Sequence, residues 1–145
     1  MAFRFPLASV LRFRESLEHQ EELELRKVQL EVAGVRRSIE QVTMEIAIAQ
    51  QARETAMQQP LPAAHLQAML RAADGAVEKR KKLLTVLQKL EEQRAEQLQR
   101  YHTAHRKRQM LSDLEARHHE SYDLRQTKTQ QKIVDDLFAS RHQRR

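Results

Sequence analysis

The apolar positions of this chain recur at alternating steps of three and four. From Leu25 they fall at Val28, Val32, Val35, Ile39, Val42, Ile46, Ala49 and Ala56, and only Arg53 interrupts the series. A stripe with this spacing stays on one side of a helix and forms a coiled-coil seam. A second stripe starts at Leu66 and continues through Met69, Ala73, Ala76, Leu83, Leu87 and Leu90, broken by Arg80. Between the stripes lies "QQPLPAAH", with Pro60 and Pro62. Proline removes a backbone donor and clashes with the preceding turn, so a helix must end there. Two long heptad segments joined by a short loop make an antiparallel helical hairpin. The expected fold is therefore all-α: two long helices forming an antiparallel coiled-coil hairpin, helix two longer. The expected domain is a single one over residues 1–145, with a helix over about 5–57, a turn over about 58–63 and a helix over about 64–140.

The register follows from the same pattern. If the loop centres on Leu61, Ala56 faces Leu66, Val35 faces Leu87 and Val32 faces Leu90. The strongest apolar run of each helix then lies opposite the strongest run of the other. Beyond Leu90 the seam positions become Arg94, Gln97, Tyr101, Ala104, Arg108, Leu111, Glu115, His118 and Tyr122. They face the Glu-rich stretch "ESLEHQEELE" (15–24). The hairpin is expected to be well zipped near its turn and weakly zipped toward its open end. Leu7, Leu11 and Leu17 are expected to meet Leu111, Leu114 and Leu98, with a stutter in the heptad. Residues 123–145 have no partner in this register, so helix two is expected to project roughly 25–30 Å past helix one.

Composition supports long helices. The 145 residues include two Gly, three Pro, no Cys and no Trp, and 32% are Asp, Glu, Lys or Arg. Lack of Cys removes disulfides and thiolate metal sites, and fits a reducing compartment. No apolar run approaches the roughly 20 residues a membrane span requires. Gly34 lies off the seam and costs its helix about 1 kcal/mol. The first 14 residues carry Arg4, Arg12 and Arg14 and no acid, like a transit peptide. The helical pattern runs on from them without a break in composition, which places them in the fold.

Charge is uneven. Residues 1–58 hold 8 basic and 9 acidic side chains, net −1; residues 59–145 hold 18 and 11, net +7. Basic groups cluster at "EKRKK" (78–82), "HRKR" (105–108) and the terminal "RHQRR". Binding of nucleic-acid phosphates is one reading of these clusters. They lack interleaved stacking aromatics apart from Tyr101, and acids flank both internal runs, so solvated helix surface is the favoured reading.

Candidate chemistry is sparse. His102 and His105 share a helix face, and His118 and His119 are adjacent, but a zinc site needs three or four converging ligands. These His residues are expected to be solvated, with no metal and no cofactor. The two glycines provide no phosphate-binding loop. A two-helix hairpin offers no enclosed, water-excluding site of the kind catalysis uses. The chain is expected not to be an enzyme, and no catalytic residue is assigned.

The two ends carry a resemblance. Phe3, Phe5 and Phe13 are three of the four phenylalanines, in a chain with 4% aromatics. The head "F-x-F-x-L-x-x-V-L-x-x-R-E" comprises Phe3, Phe5, Leu7, Val10, Leu11, Arg14 and Glu15. It resembles the start of the FliJ family, small coiled-coil components of the flagellar protein export apparatus. "QKIVDDLFASR" (131–141), with Lys132, Asp135, Asp136 and Arg141, is similar to that family's C-terminal pattern. The middle of the chain matches no motif of the family.

The resemblance implies a stalk-like coiled coil that binds and stimulates the hexameric export ATPase. It also implies contact with the transmembrane export gate and with export chaperones, on the cytoplasmic side at the inner face of the cell membrane. No specific nucleic acid is expected. The ATPase contact is expected at the open end, on Phe3, Phe5, Leu7, Arg14, Asp135, Asp136, Phe138 and Arg141. Their aromatic rings suit interface anchoring; the other reading of the head phenylalanines is that they cap the fraying end of the hairpin. A generic cytoplasmic coiled-coil adaptor and a basic nucleic-acid-binding coiled coil are the alternative readings.

Overall fold

The computed structural model describes residues 2–142. The terminal basic cluster "RHQRR" lies partly outside the described residues, since 143–145 fall beyond them. Two helices account for the fold: α1 (Ala8–Ala56, 49 residues) and α2 (Ala63–His142, 80 residues). Among the described residues there is no strand.

Proline sets three of the four helix ends. The residue before a proline is pushed out of the α region, so Phe5 is held extended by Pro6. This moves the start of α1 from the expected residue 5 to Ala8, with Leu7 O accepting the first helical bond, from Leu11 N at 2.9 Å. At the turn, Met57 N donates to Arg53 O (3.0 Å) and closes the last turn of α1. Pro62 opens α2, because its carbonyl accepts from Leu66 N (3.2 Å) and His65 N (3.0 Å) and it has no N–H of its own to satisfy.

The chain divides into two compact units: residues 22–100, which include the turn, and residues 1–21 with 101–145, which include both chain ends. In the turn unit, Leu25, Val32 and Val42 are buried and Val28, Val35, Ile39, Ile46, Ala49, Arg53 and Ala56 are half-buried. From α2, Leu66, Met69, Ala73, Ala76, Leu83, Leu87, Leu90 and Arg94 are half-buried and Gln97 is buried. The heptad reading therefore holds at each of these positions; Arg80 alone is exposed, its long stem carrying the charge to water. Fully burying a Val or Leu is worth about 1.5–3 kcal/mol relative to exposure, so this stripe is the main stabilising element of the unit. One ion pair, Arg36 with Glu91, bridges the two helices beside it, and Glu91 also lies 3.5 Å from Arg94.

The end unit is built differently. Leu11 is buried and Leu111 and Leu114 are half-buried, as the register requires. Of the other Leu residues expected there, Leu17 is half-buried, and Leu7 and Leu98 are exposed. Aromatic and ionic side chains fill the remaining seam positions. Past Tyr122, every described residue of α2 is exposed. The overhang is about 30 Å of helix at 1.5 Å per residue.

Candidate functional site

The expected partner site lies wholly in the end unit. Its head half is a strap, residues 2–7, that precedes α1 and is tied to it by Ala8 N donating to Phe5 O (3.3 Å). Phe5 is 5% exposed and meets the His118 ring edge-on at 5.6 Å between centroids. Phe3 is half-buried against His119 (4.8 Å, edge-on) and Tyr122 (5.6 Å). The contact of Phe3 with His119 follows from a pairing centred on Leu61. The two head rings therefore point into the chain's own fold. Phe13 points out, 58% exposed, with the Arg14 guanidinium 6.0 Å from its ring centre.

The tail half sits elsewhere on α2. Asp135, Asp136, Phe138 and Arg141 are all exposed, and Phe138 is 66% exposed. Ile133, Val134 and Leu137 join Phe138 as exposed apolar side chains within six residues. At 1.5 Å per residue, Asp135 lies about 20 Å along the helix from Tyr122, where the strap is anchored. The structure thus separates the expected residues: Phe3, Phe5 and Leu7 lie in the strap, Arg14 on α1 beside Phe13, and Asp135, Asp136, Phe138 and Arg141 on the overhang.

The end unit also holds an ion cluster that sequence reasoning missed. Glu18 accepts from Arg108 Nε (2.5 Å) and Nη2 (3.3 Å), and the His105 Nδ1 lies 3.1 Å from the same carboxylate. His105 also stacks on Tyr101 at 5.9 Å. The Arg108 hydrogen bond holds the Glu18 carboxyl below the ordinary carboxylate range, against the opposing pull of burial, with His105 adding to the effect. The same carboxylate raises Arg108. Half-buried charges at a seam are tolerated because each is paired. His105 was expected to be a solvated surface residue; it is half-buried and partnered instead. The Leu61-centred register sets Arg108 opposite Arg14 and Glu18 opposite Ala104, so this pairing, one helical turn out of that register, carried no direct sequence signal. His119 has a similar second role, 2.9 Å from Asp123 one turn on.

Among the described residues, no three His, Cys, Asp or Glu side chains converge as a metal site would require. Nor is any helix long and apolar enough to cross a membrane.

The family model described as Flagellar FliJ protein matches residues 3–145. The chain belongs to the FliJ family. The match includes both the strap and the overhang, so both ends are part of the family's pattern. Comparison with curated proteins and with solved structures returned no match. Membership makes this FliJ-family chain a coiled-coil protein of flagellar protein export.

Proposed function

We propose that this chain is a stalk for the hexameric flagellar export ATPase, gripped at its end unit and stimulating ATP hydrolysis. The observation that carries the reading is the overhang. Ile133, Val134, Leu137 and Phe138 present apolar surface to water on the stretch of α2 past Tyr122, where every described residue is exposed. Exposed apolar side chains gathered in this way mark an interaction surface. Asp135, Asp136 and Arg141 flank them, so a ring with apolar contacts and charges of both signs is a complementary wall. Exposed ion pairs contribute about 0–1 kcal/mol each, so Phe138 and its apolar neighbours dominate the affinity. The turn unit is then left for the transmembrane export gate and the export chaperones, on the cytoplasmic side at the membrane's inner face. No catalytic step is assigned to the chain itself.

Titration of the purified ATPase hexamer with this chain tests the reading. Binding is expected to saturate near one chain per hexamer and to raise ATP turnover. Phe138→Ala combined with Leu137→Ala should abolish stimulation while leaving helix content unchanged. Charge removal at Lys81 and Lys82, near the turn, should leave stimulation intact. The reverse outcome overturns the orientation, and absence of any binding overturns the stalk.

A further inference from the structure

We propose that residues 2–7 are a reversible latch. The strap closes over α2 in the free chain and lifts when the ATPase ring grips the end unit, handing Phe3 and Phe5 from the chain's own helix to the ring. The inference rests on the stalk reading above.

Three observations support it. First, the strap is attached lightly. Residues 2–5 have no regular structure, and one backbone hydrogen bond, Ala8 N to Phe5 O, ties the strap to α1. Its hold on α2 includes ring contacts from Phe3 to His119 and Tyr122 and from Phe5 to His118. A segment with few buried contacts opens locally at low free-energy cost, well short of global unfolding.

Second, the surface under the strap tolerates water. The seam around Val32 and Val42 is aliphatic. The strap instead covers His118, His119 and Tyr122. His118 is exposed even with the strap closed, and the His119 side chain is 55% exposed and paired with Asp123. When the strap lifts, these polar-edged rings regain solvent and His119 keeps its contact with Asp123. Phe3 and Phe5 give up buried surface, and an apolar wall on the partner recovers that loss, as a two-state element requires.

Third, the closed strap conceals the aromatic pair that heads the family match. Phe5 at 5% exposure cannot touch a partner where it lies. For Phe5 to anchor a ring, as the latch has it, the strap must move. The closed state then keeps two phenylalanines from water until a ring is present to take them.

The chain has no Cys, so two introduced thiols are the only ones. Ala2→Cys lies next to Phe3, and Gln126→Cys lies one turn beyond Tyr122; neither replaces a ring of the latch. A short, reductant-cleavable crosslinker between them locks the strap shut. The locked chain is expected to bind the ATPase hexamer at least about tenfold more weakly than the same chain after cleavage. The uncrosslinked double variant should bind like the parent, which separates locking from misfolding. Equal affinity of locked and cleaved chains overturns the latch and leaves the stalk standing. Absence of binding by the parent chain overturns both. Amide exchange gives a second readout: protection at residues 8–11 should fall when the parent binds the hexamer, and unchanged protection argues against lifting.

Discussion

The turn unit and the end unit use the same two helices and hold them together by different chemistry. Around Val32 and Val42 the helices meet through an aliphatic stripe, with the Arg36–Glu91 pair to one side. Around Glu18 and Phe5 they meet through charge and rings: Glu18 with Arg108 and His105, Phe5 with His118, Phe3 with His119 and Tyr122. Aliphatic burial needs no orientation and is insensitive to salt and pH. Ion pairs and ring edges depend on geometry, ionisation and solvent. The unit expected to meet the ATPase is therefore the one whose contacts are easier to rearrange.

The largest test of this contrast is Val42→Asp. Val42 is 2% exposed, and an unpaired carboxylate there should cost roughly 3–5 kcal/mol, read as a large fall in melting temperature by circular dichroism. A loss near zero would mean that the aliphatic seam is not what holds the turn unit.

Glu18→Ala is next. It leaves the half-buried Arg108 without its carboxylate and should cost about 1–2 kcal/mol. Amides in 8–20 and 101–115 should exchange faster, while those in 32–56 and 66–90 stay protected. Loss of protection in both units together would show that they unfold as one.

Acid should act on the same place. The Glu18 carboxyl titrates lower in the folded chain than in the unfolded one. Its contribution is therefore fully present above the ordinary carboxylate value of 4.5 and is lost as pH falls through the lower, folded value. Side-chain NMR of His105 and Tyr101 should show the end unit loosening over that window, and Glu18→Gln should remove the transition. A transition that survives in the Gln variant would place the acid-sensitive contact elsewhere.

The smallest effect is a gain. A Cβ at Gly34 meets nothing within 4 Å, so Gly34→Ala should stabilise the turn unit by about 0.5–1 kcal/mol through helix propensity alone. The melting temperature should rise with no change in end-unit exchange. A fall instead would mean that the helix surface at Gly34 is packed more tightly than the structure shows.

The turn unit was legible because aliphatic spacing is an unambiguous signal. Leu25, Val32 and Val42 announce the seam, and Pro60 and Pro62 place the turn to within a residue. The end unit was harder because charge at a seam position has two meanings. Arg108 and Glu115 read as weak points from one helix alone; the structure pairs Arg108 with Glu18, one turn away from the residue that the Leu61-centred register sets opposite it, and so makes it a contact. The head showed the same ambiguity. Three phenylalanines marked it as special, yet their direction depends on the strap that Pro6 produces, which sends Phe5 inward and leaves Phe13 outside. Sequence spacing located these residues and could not orient them. The strap and overhang residues of the candidate site also stand apart along α2, a separation that matching both ends to one family pattern does not reveal.

The loop at residues 57–62 also bears on the order in which the chain acquires its structure. Pairings beside the turn close loops of a few residues, whereas Glu18 with Arg108 closes one of about 90, and closure entropy grows with the logarithm of that length. The nucleus is therefore set at the prolines, and pairing spreads outward like a zipper, with the ionic and aromatic contacts made last. In kinetic terms, Val42→Ala should slow folding, while Glu18→Ala should leave the folding rate nearly unchanged and speed unfolding. The end unit is then the last part of the molecule to form and the first to open.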